Sequence, residues 1–106
     1  MQKSLLFLSL LLSALVPTLG PAAQDVTHGE ILAKRWCSNC HVVARSATSG
    51  SADGVPTLPA IADQPQTTRD SLRRAMAPTH GRMPDFALTV REQDDLAAYI
   101  LSLRRP

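Results

Sequence analysis

Both cysteines of this 106-residue chain lie within four residues of each other, at Cys37 and Cys40, and His41 follows directly. A disulfide between them would close a very small loop and would restrain little of the unfolded chain. Aromatic residues make up only 4% of the sequence, and small domains bury a smaller share of their surface than large ones do. We therefore predict that a metal or a cofactor supplements the hydrophobic core.

The pattern Cys-x-x-Cys-His over residues 37–41 has a specific chemical use. The two thiols add across the two vinyl groups of one haem to form thioethers, and the histidine binds the iron. The short spacing lets both sulfur atoms reach one edge of a rigid macrocycle while the imidazole lies under its centre. We predict that Cys37 and Cys40 attach one haem c covalently and that His41 is an axial ligand of its iron.

Two other uses of the same residues fit the sequence less well. A thioredoxin-type dithiol begins a helix that follows a strand, where the helix dipole lowers the pKa of the thiol. Here a helix is predicted before Cys37, and no β-α-β pattern is present. A zinc site needs four ligands, and the adjacent residues Cys40 and His41 are poorly spaced for a zinc finger, so His28 or His80 would have to complete it.

The irregular stretch at residues 78–87 contains candidates for a second axial ligand. Met83 precedes Pro84, which favours an extended backbone that can project a thioether from a loop. Methionine-histidine ligation raises the reduction potential of the iron, whereas His80 would give a bis-histidine site of lower potential. Met76 lies on the apolar face of a predicted helix and is more simply a core residue. We predict Met83 as the ligand, with His80, Met76 or an open position as the alternatives.

The first predicted helix opens at Thr27 and brings Cys37 near its end. The Thr27 hydroxyl and the Glu30 carboxylate form a capping box, and Val26 is placed to pack against Ile31 as a hydrophobic staple. The helix thus presents the two-cysteine motif as the chain leaves regular structure.

The last helix has the clearest pattern in the sequence. Thr89 and Glu92 form a second capping box, and an apolar stripe follows. The stripe consists of Leu96, Tyr99, Ile100 and Leu103. Between these two helices we predict a short helical turn started by Thr57 and Pro59 and running through Ile61, and a middle helix from Thr67 or Thr68 to Met76. No segment alternates with a period of two, so the fold class is predicted to be all-α, with three main helices and one short turn.

The first 22 residues are predicted to be a secretory signal peptide. Lys3 supplies a positive start, residues 5–16 form an apolar run, and small residues surround Ala22 and Ala23, where cleavage is expected. The functional domain is then residues 23–106, exported to the periplasm. The formal net charge of the full sequence is only +2, and its arginines are scattered, which does not indicate a nucleic-acid-binding protein.

The sequence resembles the mono-haem class I cytochromes c, specifically the small bacterial periplasmic ones. The resemblance covers almost all of residues 23–106 and is carried by Gly29, the motif at 37–41, Gly54-Val55-Pro56, Met83-Pro84 and residues 95–100. It implies the class I cytochrome c fold, packed around one covalently attached haem. It also implies that the first and last helices cross tightly at Gly29, against Leu96 and Tyr99. Finally, it implies that the Pro56 carbonyl accepts a hydrogen bond from His41 and so fixes the imidazole.

The resemblance implies an electron carrier, which transfers one electron at a time and is not an enzyme. Its expected partners are a periplasmic dehydrogenase as donor and a terminal oxidase or another cytochrome as acceptor. Two alternatives remain open. The chain could be the haem subunit of a larger dehydrogenase complex, or a peroxidase-like or gas-sensing haem protein with a labile sixth ligand. In the second case His80 and Arg82 would serve as a distal base and a charge stabiliser.

Overall fold

The computed structural model describes residues 24–46, 54–77 and 83–106. The helices are α1 (Val26–Leu32), continued by a π-helical turn (Ala33–Cys37), then α2 (Leu58–Asp63), α3 (Arg69–Met76) and α4 (Val90–Ser102). Within the described ranges no β-strand forms, so the all-α prediction is confirmed. The same ranges contain no helix that is both long and apolar enough to cross a membrane. The predicted signal peptide, His80 and Arg82 lie outside the described residues.

Helix α1 begins two residues earlier than the sequence predicts, because its N-cap is Asp25 and not Thr27. The Asp25 carboxylate accepts a hydrogen bond from the backbone N–H of His28 at 2.9 Å. The backbone N–H of Asp25 donates in turn to the carboxylate of Asp95 in α4 at 2.8 Å. The predicted cap at Thr27 is therefore wrong, because a contact with α4 fixes the start of α1. The predicted hydrophobic staple is not supported either, since both of its apolar side chains are exposed.

The other helix starts follow the sequence pattern closely. Thr89 accepts a hydrogen bond from the Glu92 N–H at 3.1 Å, and the Glu92 carboxylate accepts one from the Thr89 N–H at 2.8 Å, which confirms the predicted capping box. Thr57 caps α2 and Thr68 caps α3. Helix α2 continues beyond the predicted turn to Asp63.

Helices α1 and α4 cross at Gly29, as the resemblance implies. A Cβ atom at this position would overlap the backbone carbonyl of Asp95 and would lie 2.8 Å from the Cβ of Tyr99. Of the two expected neighbours, Tyr99 is thus among the nearest contacts of Gly29, together with the Asp95 carbonyl. Residues 95 and 99 are one helical turn apart and face α1 together, whereas Leu96 lines a cavity on another side of α4.

The hydrophobic core joins α4 to the other helices and to the chain after the two-cysteine motif. Its buried apolar residues are Leu32, Ala33, Val43, Leu58, Ala62, Leu72, Leu96, Ala97, Tyr99 and Ile100. The hydroxyl of Tyr99 donates to the carbonyl of Val43 at 2.6 Å, which connects α4 to the segment after the motif. At the far end of α4, the Arg104 guanidinium donates to the carbonyls of Ala62 and Thr67, each at 2.6 Å. These contacts fix α4 in the centre, with α2 and α3 beside it.

Candidate cofactor site

An apolar cavity of about 620 Å³ lies between the end of α1, the segment before α2, helix α3, the segment before α4, and α4 itself. It is lined by Trp36, Cys37, Cys40, His41, Gly54, Val55, Pro56, Leu58, Ile61, Leu72, Ala75, Met76, Met83, Pro84, Phe86, Leu96 and Ile100. A void of this size is far larger than the gaps left in packed protein cores. Its volume falls within the range of small-molecule and cofactor sites.

The π-helical turn brings the two-cysteine motif to this cavity. The turn ends at Cys37, whose carbonyl accepts hydrogen bonds from the backbone N–H groups of Cys40 at 3.1 Å and His41 at 2.8 Å. Both thiols are free, with Cys37 half-buried and Cys40 exposed. The tight turn therefore places all three side chains on the wall of one cavity.

Burial raises the pKa of the Cys37 thiol to about 11. Nucleophilic dithiols work as thiolates and have pKa values below that of free cysteine. The environment of Cys37 is therefore opposite to what a thioredoxin-type motif needs.

The imidazole of His41 is oriented by the segment before α2. Its Nδ1 atom lies 2.6 Å from the carbonyl oxygen of Pro56. Because a carbonyl can only accept, Nδ1 carries the hydrogen and Nε2 keeps a free lone pair. The N–H of Leu58 donates to the carbonyl of Val42 at 2.9 Å, which holds the two segments side by side. Pro56, which the resemblance connects with His41, thus lies within hydrogen-bonding distance of its imidazole.

Two methionines reach the same cavity from different parts of the chain. Met83 lines it from the irregular segment before α4, and Met76 lines it from α3. Both side chains are half-buried. The third candidate ligand, His80, lies outside the described residues.

The described residues assemble no zinc site. In ranges 24–46, 54–77 and 83–106 no group of three or more His, Cys, Asp and Glu side chains is arranged so that it could hold a metal ion. His28, one of the histidines considered for such a site, instead lies with its Nδ1 atom 2.8 Å from the carboxylate of Asp95 at the α1–α4 crossing.

Sequence reasoning missed an aromatic pair on the cavity wall. The rings of Trp36 and Phe86 have centroids 5.6 Å apart and are tilted by 37°. Each aromatic residue is close in sequence to a predicted haem-binding residue, because Trp36 directly precedes Cys37 and Phe86 follows shortly after Met83. This closeness could have indicated that both rings reach the cavity. Trp36 lies at the end of the predicted first helix and Phe86 in an irregular stretch, and no local pattern connects the two positions, so no contact between them was predicted.

The groups around the cavity fit a covalently attached haem. Cys37, Cys40 and His41 are the only thiol or imidazole groups on the described wall, and Trp36 is the remaining residue with a polar side-chain atom. All other lining residues are apolar, proline or glycine. The donor set of a c-type haem site is present on this wall: two thiols, one imidazole with a free Nε2 atom and a thioether. The rest of the wall is apolar, as a haem requires.

Comparison with known proteins gives one informative match. Over 82 residues the chain is 45% identical to cytochrome c-552 of Bradyrhizobium diazoefficiens, an alignment that covers 77% of this chain and 78% of that protein. No protein-family model matches the chain, and no solved structure matches it significantly.

Proposed function

The chain belongs to the mono-haem c-type cytochromes, and on this premise we propose that it is a periplasmic electron carrier whose haem iron is bound by one histidine and one methionine. Its helices have the class I cytochrome c arrangement, and its cofactor is haem c with iron. When bound, this haem supplies one-electron chemistry, with the iron alternating between its ferrous and ferric forms.

In this proposal the chain's own residues hold and orient the cofactor. Cys37 and Cys40 form the two thioether bonds, and His41 and Met83 are the axial ligands. The observation that carries the proposal is that these four side chains line one apolar cavity. The Pro56 carbonyl, 2.6 Å from His41 Nδ1, holds the imidazole in place and strengthens it as a donor.

The residues around the cofactor also set its electronic properties. The Met83 thioether raises the reduction potential, and the apolar wall limits the access of water, which acts in the same direction. The groups on the described cavity wall are those that bind and orient a haem, and the similar protein is a cytochrome. This is why we propose an electron-transfer protein and not an enzyme.

The proposal includes the cellular setting. Residues 1–22 are a signal peptide, and residues 23–106 form the exported domain. The donor is a periplasmic dehydrogenase, and the acceptor is a terminal oxidase or another cytochrome. Residues 23–106 contain 10 of the 11 Lys and Arg residues and all 9 Asp and Glu residues, a formal net charge of +1. This small net charge supports weak and brief docking, without a large charged patch to steer association.

Two measurements on exported protein test this function. Intact-mass spectrometry should give the polypeptide starting at Ala23 or Gln24 plus one haem. The ferric protein should show a weak long-wavelength sulfur-to-iron charge-transfer band. A bare polypeptide mass would contradict covalent haem, and stable co-purification with a catalytic subunit would favour a complex subunit over a free shuttle.

The matched pair Met83→Ala and Met76→Ala tests the ligand, because both methionines line the cavity. We expect Met83→Ala to remove the charge-transfer band and lower the reduction potential, while Met76→Ala keeps the band. High-spin ferric iron that binds cyanide at once in the parent protein would instead favour the peroxidase-like or gas-sensing alternative.

A further inference from the structure

We propose that Trp36 is a positioning residue for the Met83 ligand. Its contact with Phe86 holds the segment that carries Met83 against the cavity and limits how often the Met83 thioether leaves the iron. This inference rests on the proposed histidine-methionine ligation and adds a residue that controls it.

The contact joins the two parts of the chain that would bind the haem. Trp36 directly precedes Cys37, and Phe86 is three residues after Met83. The ring centroids are 5.6 Å apart with a tilt of 37°, within the range of favourable aromatic pairs. Both rings also line the cavity.

In the described parts of the chain, the side-chain hydrogen bonds of residues 84–88 stay within the segment or reach α4. The Ala87 N–H donates to Asp85 within the segment at 2.8 Å, and the Gln93 side chain in α4 donates to the Leu88 carbonyl at 3.2 Å. Among the described residues, no hydrogen bond links residues 84–88 to α1 or its π-helical extension. The aromatic contact therefore joins this segment to the end of the first helix.

The backbone of the segment depends on its surroundings. Ala87 has a φ of 53°, a left-handed conformation that is uncommon for residues other than glycine. Such a conformation persists only where neighbouring contacts maintain it. A ring contact at the preceding residue, Phe86, is well placed to do so.

Trp36 is not explained as a core residue. Its side chain lines the cavity, whereas the core beside it is built from the buried residues Leu32 and Ala33. The Arg35 guanidinium carbon lies 4.9 Å from the centre of the Trp36 ring, a cation–π distance. The ring is thus held by its own helix while it contacts Phe86.

The expected consequence is a change in how often the segment opens. External ligands reach a methionine-bound ferric haem when the thioether dissociates. Their binding rate therefore reports the population of the open segment. Loss of one aromatic pair should increase that population about two- to tenfold.

The test is stopped-flow binding of imidazole to the ferric holoprotein. We expect Trp36→Ala and Phe86→Leu each to bind imidazole about two- to tenfold faster than the parent, with the charge-transfer band still present. The double variant should be no faster than the faster single variant, because both remove the same contact. Trp36→Phe should restore a rate close to the parent's. Ile31→Ala, at an exposed apolar position on α1 away from the cavity, is the control and should leave the rate unchanged.

Parent-like imidazole-binding rates in both Trp36→Ala and Phe86→Leu would overturn the inference. It would also be overturned if the rate increase of the double variant equalled the product of the two single increases. If Trp36→Ala acquires no haem because it neighbours Cys37, Phe86→Leu decides alone. The charge-transfer band separates this outcome from failure of the proposed function. If the parent protein lacks the band, Met83 is not the ligand. If the band is present in the parent and lost in Met83→Ala, but the rates of the ring variants are unchanged, only the role of Trp36 is refuted.

Discussion

The α1–α4 crossing and the cavity beside it solve the problem of core formation in different ways. At the crossing, protein packs directly on protein, with the backbone of Gly29 against that of Asp95 and the buried ring of Tyr99 beside it. At the cavity, apolar side chains from several elements surround about 620 Å³ of space. The polypeptide completes the first region alone, whereas in our proposal the haem completes the second.

The polar groups of the two regions also differ, because those at the crossing pair with protein groups, whereas His41 at the cavity keeps one nitrogen for a cofactor. Asp95 is only 1% exposed, and its carboxylate lies 2.8 Å from both the Asp25 N–H and the Nδ1 atom of His28. Burial disfavours its charged form, but these two hydrogen bonds and the positive charge of Arg91 outweigh burial and lower the pKa of Asp95. At the cavity, the hydrogen bond from His41 leaves its second nitrogen free for a partner that is not protein.

The largest expected effect comes from removing the cofactor from the cavity. We expect the double variant Cys37→Ala, Cys40→Ala, expressed with export, to lose the folded state. The apolar wall would then face water, and a domain with only about 5–15 kcal/mol of stability cannot sustain that loss. Far-ultraviolet circular dichroism is the measurement. Native-like helical content in the haem-free chain would show that the α1–α4 crossing stabilises the fold without the cofactor. The cavity would then not depend on haem for its folded structure.

A smaller effect is expected at the crossing. Gly29→Ala should lower the free energy of unfolding of the holoprotein by about 3 kcal/mol, because the added Cβ overlaps the Asp95 carbonyl and α4 is fixed at its other end. Denaturant unfolding followed by circular dichroism measures it. Ile31→Ala, on the exposed side of α1, is the control and should change stability by less than about 0.5 kcal/mol. Equal changes in the free energy of unfolding for Gly29→Ala and Ile31→Ala would mean that α1 and α4 can move apart at the crossing without loss of stability.

The smallest effect concerns the buried carboxylate. Asp95→Asn should lower the free energy of unfolding near neutral pH by about 2 kcal/mol, because it removes the charge-assisted hydrogen bonds from Asp25 and His28. Its control is Asp70→Asn on the exposed face of α3.

The pH dependence makes this prediction sharper. The folded-state pKa of Asp95 is lowered, so the unfolded chain binds the proton more readily. The stabilisation is therefore fully present above the unfolded value of about 3.9 and is lost as pH falls through the folded pKa. Urea titrations between about pH 6 and pH 2 should show a shallower acid loss of stability in Asp95→Asn than in the parent. Identical slopes would show that this carboxylate does not stabilise the crossing.

Sequence reasoning succeeded where the signal was local. The capping box of Thr89 and Glu92, the apolar stripe after it, and the caps at Thr57 and Thr68 each depend on residues within one or two turns. The two-cysteine motif is also local, since four consecutive peptide units set its geometry, and its haem-binding role stays a prediction. These features could be predicted because few distant contacts compete with them.

The failures share a different cause. The start of α1 is moved to Asp25 by a carboxylate on α4, and no pattern near Thr27 shows that partner. The contact between Trp36 and Phe86 and the left-handed backbone at Ala87 also depend on the packed fold. For the same reason the close approach of the Asp95 carbonyl to Gly29 was not predicted.

The π-helical turn at Ala33–Cys37 has a practical consequence for anyone who wishes to graft this motif. Its closing hydrogen bond runs from the Ser38 N–H to the Ala33 carbonyl, five residues back, instead of the usual four. A regular α-helix of the same length would present the residues after Ala33 at a different azimuth. Transplanting Cys-x-x-Cys-His onto a straight helical host would therefore aim its side chains away from the intended pocket unless the widened turn is copied with them.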